Sequence, residues 1–341
     1  MQIVFHLSES FKALFQPQSR IVITGHYNPD GDAIGSALAL YYILKQEIPN
    51  VQVIMPNPPP EFLSWLPGFS DMLIFNKNRE EAKKKIAQAD IIFSLDYNKP
   101  ERVEFMKDDL LNSSAIKVMI DHHLEPGDFA DHIFSFPGVS STAELMLQFI
   151  REMDKLPAMN KDIATCLYTG IMTDTINFSV SGTTIETFAA AADLLMYGID
   201  KNRIYNKTFN NYAFNRLKMT GYLLYQKLQR IPGTSAVLMI FTLKEMEQFD
   251  YRPGDHEGIV NMPLSVADVS ISIIALERDG FVKLSLRSIG SDPKEDVNKL
   301  ARSYFNGGGH QNASGGKLFI GIEKAEKRII YALQDFFRKN K

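Results

Sequence analysis

The stretch GHYNPDGDAIGSALAL, Gly25 to Leu40, decides how the rest of the chain is read. Before it, RIVITG is a short apolar run with β-branched residues, which suits a buried parallel strand. After the HYNPDGD turn the apolar pattern lengthens into a helix from about Ala33 to Gln46, whose Gly35, Ser36 and Ala37 allow close packing on a sheet. His26, Asp30 and Asp32 therefore fall between a strand and a helix. One histidine and two aspartates at that density make a metal-ligand pattern. Read alone, Asn28-Pro29-Asp30-Gly31 also makes a tight turn and a helix cap.

Working outward, the same alternation continues. VQVIM (51–55) is a second strand and 77–89 a charged helix. ADIIFSLDYN (89–98) is a third strand running into Asp96. AIKVMIDHH (115–123) is a fourth, running into Asp121, His122 and His123. Strands alternating with helices predict an α/β fold with a doubly wound, mainly parallel sheet. Ligands of such sheets bind beyond the carboxyl ends of the strands, so three runs ending in His or Asp predict one crevice. PGVSSTAELMLQFI (137–150) opens a helix capped by Ser141 or Thr142, with Glu144 in its first turn. Further helices cover 161–173, leading to Asp174, and 184–196. Residues 1–18 predict a helix with Ile3, Val4, Leu7, Phe11, Leu14 and Phe15 on one stripe. His6, His132 and His256 lack a partner motif and read as structural.

Residues 199–230 are helical and polar–aromatic, the pattern of a connector. Beyond them lie TSAVLMIF, a hairpin turning at Asp279-Gly280, a helix near 297–305, the loop FNGGGHQNASGG, a strand (KLFIGI) and a last helix. The expected division is 1–198, a helical linker 199–229, and a smaller α/β domain 230–341. A chain of 341 residues fits two domains. The net charge of −3 argues against wholesale binding of long nucleic acid but not against a small anionic ligand. Cys166, the lone cysteine, reads as a core residue and points to a reducing cytoplasm. No basic-then-apolar leader is evident and no apolar run reaches about 18 residues, so no membrane span is expected.

His26, Asp30, Asp32, Asp96, His122 and Asp174 together offer imidazoles and carboxylates without a thiolate, a donor set for Mn²⁺, Mg²⁺, Fe²⁺ or Zn²⁺. Six such side chains exceed the needs of one ion. Two ions sharing a carboxylate and a hydroxide are the economical arrangement, and phosphoester hydrolysis is the reaction it suits. Asp30 and Asp32, two residues apart in an extended turn, point apart and can each serve a different ion. Gly307-Gly308-Gly309-His310 is the second expected site. Consecutive glycines bring backbone N–H groups close to an anion, His310 can donate to a phosphate, and Arg287 can clamp it.

HYNPDGD, SLDYN, DHH and GIMTDT resemble, in order, the four motifs of the DHH phosphoesterase superfamily. RSIG, DVNKLA and GGGHQNASGG resemble its C-terminal DHHA1 domain, with Ser314 where many relatives have alanine. The resemblance spans nearly the whole chain. It implies a DHH domain and a DHHA1 domain with the active site in the cleft between them, and it is similar to the bifunctional oligoribonuclease and pAp phosphatase group. By this resemblance His26, Asp30 and Asp96 hold one Mn²⁺, and Asp32, Asp96, His122 and Asp174 hold a second. Asp121 orients a histidine, and His123 meets the scissile phosphate. Arg287, Ser288, Gly308, Gly309 and His310 grip the substrate, with Ser140, Ser141 and Thr142 nearby. The implied substrates are short oligoribonucleotides or 3′-phosphoadenosine-5′-phosphate (pAp). Cyclic or linear dinucleotides and polyphosphate are the alternatives, and a nucleotide sensor without turnover is the reading of another class. Membrane-linked cyclic-dinucleotide hydrolases of the superfamily carry sensory segments not expected here. A homodimer is a further expectation.

Overall fold

The computed structural model describes residues 5, 7–180, 182–210, 213–252, 254–290 and 292–340. It divides into two compact units, Met1–Asn211 and Tyr212–Lys341. The connector helices fall on both sides of that division, with Lys201–Phe209 in the first unit and Phe214–Tyr222 in the second.

The first unit is built on six strands among the described residues: β1 Ile21–Thr24, β2 Val51–Met55, β3 Leu73–Ile74, β4 Ile91–Leu95, β5 Ile116–Asp121 and β6 His132–Ser135. Their order is β3-β2-β1-β4-β5-β6, and every neighbouring pair is parallel. From β1 the chain adds strands first to one side and then to the other, so the winding reverses between β1 and β4, the position where an open α/β sheet leaves room for a ligand. Alternate residues serve opposite faces. Ile21 and Ile23 join the core under helices Gly31–Lys45, Thr142–Glu152 and Lys161–Asp174, whereas Val22 joins the core under Arg79–Gln88 and Lys107–Leu111. Both faces are covered, so the sheet is doubly wound.

Two local expectations change. The helix expected over 1–18 is confined, among the described residues, to Glu9–Lys12, capped by the Ser8 hydroxyl. Phe5, outside that helix, packs its ring 5.3 Å from Phe134 and 5.1 Å from Phe136. Ile3, Val4 and His6 lie outside the described residues. Gly35, expected to approach the sheet, faces a helix: a side chain there would run into the Cys166 carbonyl, and one on Gly31 into Thr173. Helix Gly31–Lys45 thus lies tightly on helix Lys161–Asp174.

The second unit holds β7 Gln229–Arg230, β8 Ala236–Phe241, β9 Ile271–Arg278, β10 Phe281–Ser288, β11 Gly308–His310 and β12 Ala313–Leu318, in the order β11-β12-β10-β9-β8-β7. Only the β8–β9 pair among these is parallel. Gly280, at φ 78°, closes the two-residue β9–β10 turn. One sheet face, with Val282, Leu284 and Leu286, packs against Val297–Tyr304 and Ile322–Lys339. The other, with Met239, Ile274 and Leu276, packs against Phe214–Tyr222 and Leu243–Gln248. No helix of the described residues is long and apolar enough to cross a membrane.

Candidate metal centre

The site begins with how the strands end. β1 gives out at Thr24 and the chain turns through His26. β4 gives out at Leu95 and Asp96 takes a left-handed backbone, φ 62°. Such a conformation strains a non-glycine residue, by about 1–3 kcal/mol, and at a strand end beside other ligand-type groups it marks a position set by chemistry. β5 ends at Asp121, followed by His122 and His123. These ends lie on adjacent strands, and helix Lys161–Asp174 brings in Asp174 from the covering layer.

Asp96 is the centre of the cluster, 2% exposed. Its Oδ2 lies 3.4 Å from His26 Nε2, and its Oδ1 lies 3.5 Å from His122 Nε2. His26 Nε2 is also 3.7 Å from Asp30 Oδ2, and His122 Nε2 is 3.4 Å from Asp174 Oδ2 and 3.9 Å from Asp32 Oδ2. Ligand-type atoms of His26, Asp30 and Asp96 form one compact group and those of Asp32, His122 and Asp174 another. The two imidazoles are oriented alike. His26 Nδ1–H donates to the Tyr27 carbonyl at 2.9 Å and His122 Nδ1–H to the Val139 carbonyl at 3.1 Å. Once each ring sheds its extra proton, the nitrogen facing the carboxylates is the one with a lone pair, the tautomer a metal ligand needs.

Asp30 fulfils both readings of its turn. Oδ1 caps helix Gly31–Lys45 by accepting from Asp32 N and Ala33 N, and Oδ2 faces His26. Asp32 is held by another helix: its carboxylate accepts from Thr142 N at 2.6 Å and Ala143 N at 2.8 Å, while Thr142 Oγ1–H donates to Asp96 Oδ1 at 3.0 Å. The first turn of Thr142–Glu152 thus fixes two carboxylates of the cluster. Ser141, expected at the substrate, is fully buried and its hydroxyl accepts from Glu144 N as the cap of that helix. Ser140 Oγ likewise donates inward, to Glu144 at 2.6 Å. Gly170 completes the packing: a Cβ there would sit 2.6 Å from Ala143 Cβ and 3.0 Å from Asp32 Oδ1.

His123 also joins a compact group with Asp96 and His122, but its Nδ1 is committed to Asp121 Oδ1 at 2.7 Å. Asp121, fully buried, accepts His123 N with its other oxygen at 2.8 Å. Asp121 therefore orients the His123 ring through Nδ1.

The charges make the cluster uncomfortable by itself. Burial works against a charged His26, yet the Asp30 and Asp96 carboxylates outweigh it and lift its pKa to about 10. Burial, with the Asp30 and Asp96 charges, raises Asp174 to about 7 despite His122 nearby. Asp32 is pushed well up by burial and by Asp96 and Asp174. Crowded buried carboxylates that cannot all ionise are relieved by cations. Among the described residues, buried His26 Nε2 has no hydrogen-bond partner. An orphaned ring nitrogen facing carboxylates, with an oxygen- and nitrogen-only donor set, fits divalent metal ions.

In the second unit, Arg287 and Ser288 end β10 on opposite faces. Ser288 Oγ–H donates to Asn312 Oδ1 at 3.2 Å, so Ser288 braces the GGGH turn from the face away from Arg287. The GGGH segment itself is a correction. Gly308–His310 is not a loop but strand β11, paired with Ala313–Gly315. A side chain on Gly307 would strike the Gly315 carbonyl, and one on Gly309, at φ 147°, would lie 2.8 Å from Ser314 Cα. These two glycines answer to backbone crowding, whereas a side chain on Gly308 would meet only Arg302 and Asn298, at an ordinary 3.8 Å.

Residues 20–171 match the DHH family, N-terminal domain, and residues 233–339 match the DHHA1 domain. The bifunctional oligoribonuclease and PAP phosphatase NrnA of Bacillus subtilis is 26% identical over 302 residues, covering 88% of this chain and 89% of that one. Its namesake in Thermus thermophilus is 28% identical over 332 residues, 96% and 93% of the two chains. The crystal structure of an exopolyphosphatase-related protein from Bacteroides fragilis superposes with a TM-score of 0.92 at 41% identity, over 97% and 96% of the chains. With both domain matches in sequence order, the chain belongs to the DHH family of phosphoesterases and carries its DHHA1 domain.

Proposed function

We propose that this chain is a two-metal phosphoesterase that hydrolyses short oligoribonucleotides and pAp, with manganese as its ion and the cytoplasm as its setting. One observation carries the reading: the two oxygens of Asp96 face different imidazoles, His26 and His122, which supports a carboxylate shared by two ions. The named activities of the NrnA relatives support the substrate class.

In this reading His26, Asp30 and Asp96 would hold one ion, and Asp32, Asp96, His122 and Asp174 the other. When bound, such a pair supplies an activated water and charge stabilisation for an in-line displacement at phosphorus. The chain's own residues do the rest. Thr142 and the backbone N–H groups of Thr142 and Ala143 keep Asp32 and Asp96 from turning away. Asp121 aims His123 so that Nε2 meets a leaving oxygen. Arg287 and His310 hold the nucleotide part, and Gly308 and Gly309, bare of side chains, let it come close to the strand.

The test is turnover of pAp, RNAs of two to five nucleotides, linear and cyclic dinucleotides and polyphosphate with Mn²⁺, each beside Asp96→Ala. Cleavage of pAp and short RNA that Asp96→Ala abolishes is the expected result. Turnover of dinucleotides or polyphosphate alone overturns the substrate class and keeps the metal reading. No cleavage of any of them with Mn²⁺ bound makes the chain a nucleotide sensor.

A further inference from the structure

The second unit's sheet has a half-covered face. On β10, Lys283, Ser285 and Arg287 point to the side opposite Val282, Leu284 and Leu286. Register puts Ser272 beside Arg287, Gly315 beside Ser285 and Lys317 beside Lys283 on that same side. Where the face crosses β8 and β9 it is sealed by apolar packing over Met239, Ile274 and Leu276. Where it crosses β10 and β12 it carries polar or small side chains instead.

Three features there lack an internal explanation. Lys283 is half-buried, yet its ammonium makes no hydrogen bond or salt bridge among the described residues. Burial, and then the Arg278 charge, lower its pKa, and the Glu257 carboxylate only partly offsets them. The Ser272 hydroxyl, in a residue with no exposed surface, has no hydrogen-bond partner. Gly315 needs no freedom for packing: an added Cβ would meet only the Leu284 carbonyl, at an ordinary 3.4 Å. Gly316, its neighbour, would instead crowd Phe305 at 2.7 Å. A flat floor, an orphaned hydroxyl and an unpaired ammonium on one side of a sheet describe a place for an anion.

We propose that Lys283, over a floor of Ser285 and Gly315, forms a second phosphate subsite that reads the second phosphate of a nucleotide substrate whose first phosphate group lies toward Arg287. Lys283 and Arg287 are four residues apart on one strand, about 13 Å between Cα atoms, and both side chains are long enough to approach one ligand. The inference rests on the phosphoesterase reading and deepens it: a nucleotide bearing two separated phosphates is preferred over a monophosphate.

The experiment uses the full chain depleted of metal with EDTA, which prevents turnover. Binding of adenosine 3′,5′-bisphosphate, adenosine 5′-monophosphate and inorganic phosphate is measured by calorimetry for wild type, Lys283→Ala, Lys283→Arg and Gly315→Val. Wild type is expected to favour the bisphosphate. Lys283→Ala weakens it by about 10-fold or more and the monophosphate less than about twofold, and Lys283→Arg restores most of the loss. Gly315→Val weakens both nucleotides without lowering the melting temperature. Equal losses for the two nucleotides in Lys283→Ala, or none, overturn the subsite. Inorganic phosphate binding as tightly as the bisphosphate, through Lys283, makes it a free-phosphate site and overturns the nucleotide assignment. Turnover in Mn²⁺ separates the two readings. An active wild type whose selectivity ignores Lys283 loses only the subsite, and an inactive wild type with Lys283-dependent bisphosphate binding loses only the phosphoesterase reading.

Discussion

Asp96 leaves its strand in a left-handed turn and meets an imidazole with each oxygen, so what holds it matters as much as its charge. Thr142→Val keeps the backbone N–H bonds to Asp32 and removes only the hydroxyl donated to Asp96. Mn²⁺ affinity, read by calorimetry, is expected to fall about 10–100-fold, with melting of the metal-free protein little changed. Protons should leave when metal binds. His26, with a pKa of about 10, and Asp174, at about 7, hold protons in the metal-free site near neutrality. Affinity therefore rises with pH through 7, and titrations in buffers of different ionisation enthalpy should reveal proton release. His256 tests the second unit. Burial, then the charges of Lys283 and Arg278, press its pKa down to about 3, and Tyr251 OH donates to its Nδ1 at 2.7 Å. Unfolded, it takes a proton near pH 6.5, so from 6.5 down toward 3 the unfolded state holds more protons and stability falls with pH. Urea unfolding at pH 7 and pH 5 should show wild type losing about 2 kcal/mol more than His256→Asn; equal losses sink the assignment. The candidate ligand side chains were legible at this scale: His26, Asp30, Asp32, Asp96, His122, His123 and Asp174 fall into overlapping compact groups. What the sequence hid were their backbone partners, the N–H of Ala143 and the carbonyls of Tyr27 and Val139, because main-chain groups look alike at every position.

Helix Gly31–Lys45 reaches helix Lys161–Asp174 only because Gly31, Gly35 and Gly170 have no side chain. Gly35→Ala would drive a methyl into the Cys166 carbonyl. A loss of about 1–3 kcal/mol is expected by denaturant unfolding, together with weaker Mn²⁺ binding as Asp174 shifts from His122. The Gly31–Gly35 spacing was visible in the sequence, and a pair of glycines one turn apart on an apolar helix signals close helix contact as readily as close sheet contact. The glycines at 307–309 were read for an anion, yet Gly307 and Gly309 serve the β11–β12 hairpin. Alternation along a three-residue strand is too short a pattern to show before the partner strand is known. The same reason hid β3 and β6, which are two and four residues long.

At the scale of the whole molecule, all the candidate ligands sit in Met1–Asn211, and Tyr212–Lys341 has its own cores. Metal should therefore stabilise unequally. In calorimetric melting of the full chain, saturating Mn²⁺ is expected to raise the transition of the first unit, by about 2.7 kcal/mol at a hundredfold excess over Kd, and to leave the other in place. EDTA should reverse the shift, and a uniform rise of the whole profile would contradict the assignment of metal to one unit.

The strand orders have another consequence. Both sheets finish in stubs: Leu73–Ile74 and His132–Ser135 flank the first, Gly308–His310 and Gln229–Arg230 the second. The long, oily strands, β5, β8 and β9 among them, are shut inside with a neighbour on each side. A rim strand of two to four residues gives a foreign chain almost nothing to zip onto. Concentrated solutions of the folded protein should consequently resist ladder-like self-assembly, while partly unfolded chains, with β8 and β9 bared, become the sticky species.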